Sequence, residues 1–162
     1  MAYSSEYTSN EFLHINSCDC QQLEGIDIGS LREKGRRDYH ILFITEGCCF
    51  IRENDTETPI KEGSVIFYQP YERQEYYFKA DIKSTSYYVH FSGTECDNIL
   101  KEFGITPRYF YVGKVPRAEK LFKKMIEETF LKRPYYEKIS SSYLYSILGL
   151  LGRKRIQDSI YR

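Results

Sequence analysis

The fold class that the sequence predicts is mainly β: a barrel or sandwich of roughly one hundred residues followed by a pair of α-helices. Turn residues recur at intervals of about 8 to 12 residues between Phe12 and Val112. The runs between those turns are rich in β-branched and aromatic side chains, which fit a pleated, half-buried surface. Beyond Gly93 the apolar residues change to a period of about 3.6, the signature of helices.

Residues 38–45 (DYHILFIT) form the first clear strand, and Glu46-Gly47 closes it with a turn. Residues 48–53 follow, and Asn54-Asp55 supplies turn chemistry before residues 57–61. Glu62-Gly63 is the next turn. Residues 64–69 (SVIFYQ) are a strand stopped by Pro70, which has no N–H to give a central ladder. Residues 75–80 and 84–91 (STSYYVHF) are two more, with Asp81 between them and Ser92-Gly93 at the end. Residues 96–103 read as a short helix with Ile99, Leu100 and Phe103 on one side and Gly104 as its C-cap. Ala118, Leu121, Phe122, Met125, Ile126, Thr129 and Phe130 then mark an amphipathic helix, with Pro116 at its start and Pro134 past its end. A second helix over residues 137–152 places Leu144, Ile147, Leu148 and Leu151 at helical spacing.

At 162 residues the chain suits one domain with a core that needs no disulfide staples. A hydrophobic content of 41% with 16% aromatics excludes a disordered chain. No stretch approaches the roughly 18 consecutive apolar residues of a membrane span. Residues 1–10 are polar and lack the features of a secretory signal, so a soluble, cytoplasmic protein is expected. The five cysteines, Cys18, Cys20, Cys48, Cys49 and Cys96, leave at least one unpaired, which fits a reducing compartment. Cys18 and Cys20 are too close for ordinary zinc spacing, and Cys48 and Cys49 point to opposite faces of any strand. All five read as packed thiols.

The formal charge is zero, yet residues 1–96 carry 9 Lys/Arg and 16 Asp/Glu while residues 97–162 carry 14 and 7. This acidic body and basic tail read as a solvated helical surface, not basic enough for a DNA-binding domain by itself. His14, His40 and His90 are the only histidines, and no zinc-protease, phosphate-loop, dinucleotide or nucleophile-elbow motif is present. No catalytic residue, metal site or cofactor is expected.

Residues 35–47 (GRRDYHILFITEG), residues 63–70 (GSVIFYQP), Tyr76 and residues 87–93 (YYVHFSG) resemble, in order and spacing, the N-terminal domain of AraC-family transcriptional regulators. The resemblance implies a cupin double-stranded β-helix, or jelly roll, followed by a C-terminal pair of helices that dimerises it. It implies an N-terminal arm over residues 1–11, a barrel over 12–113, a helical dimerisation segment over 114–155, and a linker starting at 156–162 toward a DNA-binding domain absent from this chain. DNA would then be a partner only through that absent domain, and no membrane partner is implied. The arm reading stands beside that of an ordinary frayed terminus.

Matched to the family's arabinose-responsive member, the ligand-contacting positions fall on Arg32, Glu46, Gln74, Tyr76, Ser86 and Tyr88, with His90 joining them from the same motif. A small-molecule effector is implied, a carbohydrate or its derivative, because aromatic faces cover a sugar ring while amide, carboxylate and guanidinium groups bind its hydroxyls. Glu46 stands where that relative has arginine, which argues against arabinose itself. Simple core packing is the alternative role for Tyr76 and Tyr88. The resemblance also implies a homodimer through the stripe Leu144, Ile147, Leu148 and Leu151. Two rival readings stay open: a metal-dependent cupin isomerase or dioxygenase, and a ligand-free dimerisation scaffold. The first lacks its ligands, since Lys34, Arg36 and His40 occupy the stretch of the first cupin motif, and Gln74 and Glu75 stand where the second needs histidine.

Overall fold

The computed structural model describes residues 9–160. Residues 1–8, the greater part of the expected arm, lie outside them. In chain order the elements are β1 (His14–Leu23), β2 (Ile28–Arg32), β3 (Tyr39–Glu46), β4 (Cys48–Glu53), β5 (Thr56–Lys61), β6 (Ser64–Tyr68), β7 (Gln74–Phe78) and β8 (Ser84–Ser92). Then come α1 (Cys96–Glu102), β9 (Tyr109–Tyr111), α2 (Pro116–Leu131) and α3 (Tyr136–Ile160). A five-stranded sheet in the order β1-β8-β3-β6-β9 faces a four-stranded sheet in the order β2-β7-β4-β5, with antiparallel pairing in both. This is the jelly-roll arrangement that the resemblance implied.

Strand alternation divides the five-stranded sheet between two apolar layers. Ile41, Phe43, Val65, Phe67, Tyr87, Val89 and Phe91 pack outward against the helices. Leu42, Ile44, Ile66 and Tyr68 pack inward against Cys49, Ile51, Ile60, Tyr76 and Phe78 of the facing sheet. Both faces of β3 and β6 are therefore buried, which is why ILFI and SVIFY read as unbroken apolar runs. The outer face of the smaller sheet is solvated and carries ion pairs such as Arg73–Glu75 at 2.8 Å and Lys79–Glu57 at 3.2 Å.

The six strands named from the sequence are present, with ends within two residues of expectation. β1, β2 and β9 were not singled out as strands, and all three are sheet edges. An edge strand carries a relaxed pattern: β1 reads HINSCDCQQL, and the sequence signal is correspondingly weak. Gly47 makes the β3–β4 turn at φ 80°, where a Cβ would strike the Lys83 carbonyl and Ser84.

α1 ends in a Schellman motif: the Gly104 N–H donates to the Lys101 carbonyl at 3.0 Å and the Ile105 N–H to that of Leu100 at 2.8 Å. α2 buries Ala118, Phe122 and Met125, but Phe130 is 82% exposed. Phe130 follows Met125 by five positions, about 140° around the helix, so it falls outside the buried stripe to which its spacing assigned it. α3 does not stop at Gly152 as expected; the helix continues to Ile160, through the start of the expected linker. Gly152 serves close approach instead, because a Cβ there would collide with the Phe103 carbonyl. Arg155 extends this contact by donating to the Gly104 carbonyl and stacking over Phe110 at 5.2 Å. Among the described residues no helix is long and apolar enough to cross a membrane.

Candidate functional site

Cross-strand register sorts the barrel interior into rows. Ser17, His90, His40 and Tyr68 are successive partners across β1, β8, β3 and β6. The next row along the same strands holds Asp19, Tyr88, Leu42 and Ile66, and the one after it holds Gln21, Ser86 and Ile44. On the facing sheet Arg32 pairs with Gln74, and Tyr76 with Ser30 and Ile51. One end of the interior is thus polar, with both histidines beside Gln74; further along, Tyr88 stands beside Leu42 and Ile66, and Ser86 beside Ile44.

At the polar end a short hydrogen-bond chain crosses between the sheets. Arg32 Nη1 donates to Gln74 Oε1 at 3.0 Å, and His40 Nδ1 lies 3.2 Å from the same oxygen. The His40 and His90 rings meet edge to face at 4.2 Å, and Ser17 Oγ bonds His90 Nδ1 at 2.8 Å. Tyr76 stands 5.6 Å from His40, and Tyr88 stands 5.2 Å from His90. Burial holds His40 neutral, down to about 3 from 6.5, with the charges of Arg32 and Arg36 acting the same way against the raising effect of the Gln74 bond. Burial likewise drives His90 far below its ordinary range, helped by His40 and both arginines.

Four buried atoms in this interior have no hydrogen-bond partner among the described residues: Gln74 Nε2, Ser86 Oγ, Tyr68 Oη and His90 Nε2. Each such group carries a desolvation penalty of about 1–3 kcal/mol when left unpaired. Their concentration on one lining is the most informative feature of the site.

Of the positions expected from the sequence, Arg32, Gln74, Tyr76, Ser86, Tyr88 and His90 all line this interior, the first, second, third and sixth of them around His40. Glu46 does not join them. A bulge between Ile44 and Glu46 shifts strand parity, and Glu46 sits half-exposed 3.9 Å from Lys83. His40 and Tyr68 belong to the cluster without having been named as ligand residues. The signal was available, since His40 shares inward parity with Leu42 and Ile44, and Tyr68 with Ile66.

The stripe Leu144, Ile147, Leu148 and Leu151 requires a correction. All four are 0% exposed and packed within this chain's own outer core, against the five-stranded sheet and α2. Their apolar spacing reflects attachment of α3 to the barrel and leaves nothing for a second copy to cover. The surface that α3 does leave open is a groove of about 650 Å³ lined by Phe103, Leu121, Tyr145 and Leu150, with Glu102 and Arg153 among its charges. The five thiols are free, and burial pushes Cys49 and Cys96 up to about 12, consistent with packing roles. Among the described residues no group of three His, Cys, Asp or Glu side chains is arranged to hold a metal ion.

A family model described as the AraC-like ligand binding domain matches residues 24–148. Among solved structures, an apo variant of ToxT from Vibrio cholerae strain SCE256 is 10% identical at a TM-score of 0.51, covering 82% of this chain and 52% of its own. The unsaturated fatty acid bound wild-type ToxT of the same strain gives 10% identity and a TM-score of 0.40, covering 93% of this chain and 57% of its own. A putative ethanolamine utilization protein, EutQ, from Salmonella typhimurium LT2 gives 16% and 0.37, covering 48% and 58%. The chain spans about half the length of these ToxT structures. No curated protein sequence matches it.

Proposed function

The chain belongs to the AraC-like ligand binding domain family, and from that premise we propose that it is the effector-sensing domain of a transcription regulator, taking a small molecule into the barrel interior. The observation that carries this reading is the set of four unpaired buried polar atoms on one lining. A core selected only for packing replaces such atoms with apolar ones, whereas a binding site keeps them for its ligand. Tyr76 and Tyr88 offer aromatic faces, and Arg32, Gln74 and Ser86 offer groups that bind hydroxyls, so a sugar or sugar derivative is the proposed effector. Fatty acid binding belongs to ToxT and enters here as a competing arm of the test.

Effector binding would favour one arrangement of the domain and so bias how DNA-binding segments of the parent protein, outside this chain, are presented. A second copy of the chain is the proposed partner, docked on the open groove of α3. Glu102 and the bases Arg117 and Arg153 line that groove together, so a twofold axis can set acid against base. The reading assigns the barrel no catalytic step; stoichiometric, tightly bound iron, manganese, zinc or nickel in the purified chain would overturn that in favour of a cupin enzyme.

The direct test is a thermal-shift panel of neutral sugars, uronic acids and fatty acids. A binder at about 100 times its dissociation constant stabilises the fold by roughly 2.7 kcal/mol. Tyr88→Ala is expected to abolish the shift while remaining folded. A shift that survives this substitution places the ligand outside the barrel and defeats the proposal.

A further inference from the structure

We infer that the effector is a small hydroxy acid, with its carboxylate seated on Arg32 and Gln74 and its hydroxyls on Ser86 and Tyr68. This rests on the barrel-binding reading above and names the ligand class that fits the polarity of the cluster.

The polarity is fixed by chemistry rather than by side-chain assignment. A guanidinium only donates, so the amide atom 3.0 Å from Arg32 Nη1 must be the oxygen of Gln74. His40 Nδ1 lies 3.2 Å from that same oxygen and must therefore carry a proton. The Gln74 oxygen is thus engaged by two donors, one from each side chain. Gln74 Nε2, fully buried and without a partner among the described residues, presents pure donors.

The site thus offers two kinds of group side by side. Donors come from the Gln74 amide and the guanidinium of Arg32, whose one hydrogen bond given by the structure goes to an uncharged side chain. The neighbouring guanidinium, Arg36, is engaged by Asp38 at 2.6 and 3.1 Å. One positive charge lacking a carboxylate partner among the described residues fits one carboxylate, and a carboxylate accepts from guanidinium and amide donors at once. A phosphate dianion would call for a second cation. Ser86 Oγ and Tyr68 Oη serve either way and suit the ligand's hydroxyls. A neutral sugar leaves the guanidinium without its counter-charge, and a simple fatty acid leaves the Ser86 and Tyr68 hydroxyls unmet.

The experiment is calorimetric titration of the purified chain with galacturonate, glucuronate and gluconate, against galactose, glucose, glucose 6-phosphate and decanoate. An acid is expected to bind while its neutral counterpart binds at least about tenfold more weakly, with Arg32→Gln removing that preference and Arg32→Lys restoring part of it. Circular dichroism of both variants establishes that they fold. Equal binding of galactose and galacturonate, binding confined to the phosphate or to decanoate, or an acid affinity unchanged in Arg32→Gln would each overturn the hydroxy-acid assignment and leave barrel sensing intact. Failure of all three acids also overturns it. Barrel sensing is then judged separately by whether apo Ser86→Ala gains stability, as a retained binding group requires.

Discussion

His40 and Ser86 carry the predictions that belong to single residues. The folded chain holds His40 near 3, whereas the unfolded chain takes up that proton near 6.5. Folding stability from this group is therefore complete above about pH 6.5 and is lost as pH falls toward 3, because there the unfolded state binds more protons. His90 acts in the same direction. Side-chain nitrogen NMR at pH 5 is expected to find both rings neutral, with the proton of His40 on Nδ1; an imidazolium signal from either would contradict the buried geometry. At Ser86 the hydroxyl is buried without a partner among the described residues, so Ser86→Ala is expected to raise the stability of the ligand-free chain by about 1 kcal/mol in urea unfolding while weakening the effector. A destabilised Ser86→Ala would mean that the hydroxyl is already satisfied. Glu46 illustrates the reverse case, a residue in a matching motif that one bulge carries to the other side of its strand.

For the elements, the decisive matter is what α3 does with its apolar face. Leu148 is fully buried against the barrel, so Leu148→Ala is expected to cost about 2–5 kcal/mol of folding stability without altering the oligomeric state. Dissociation of a dimer at unchanged monomer stability would restore the interface reading of that stripe. At Gly152, where the Phe103 backbone touches the helix, alanine removes a poor helix former yet adds a colliding methyl group. Its expected effect is a lower thermal midpoint, the opposite of what helix propensity alone would give. Gly104 at φ 71° completes the C-cap of α1, and alanine there is expected to cost about 1 kcal/mol.

Considered as a whole molecule, the protein is a barrel closed on its outer side by helices, with the candidate site between sheets and the open groove on the far side of α3. Self-association through that groove predicts that Tyr145→Glu, a change at a 41% exposed position, shifts the chain toward monomer in sedimentation while its midpoint holds. An unchanged sedimentation profile would remove the groove as the contact. The separation of the two regions means that effector affinity should survive Tyr145→Glu and dimerisation should survive Tyr88→Ala. Each variant thus controls for the other.

The sequence by itself determined the mainly β class, the six strands β3 to β8, the Gly104 cap and the family, and it named six residues that the fold brings to one interior. These features are written locally, because a strand buried on both faces must be apolar throughout and a turn or cap must have its own residue type. Only the tertiary structure decided that β1, β2 and β9 are strands, since an edge strand is stabilised by a partner distant in sequence and not by its own pattern. It also decided that Glu46 leaves the cluster, that His40 and Tyr68 enter it, and that the leucine stripe of α3 is already covered. Side-chain facing depends on register, on a single bulge and on which layer packs over which. Those are relations between segments far apart in the chain, and periodicity within one segment does not contain them.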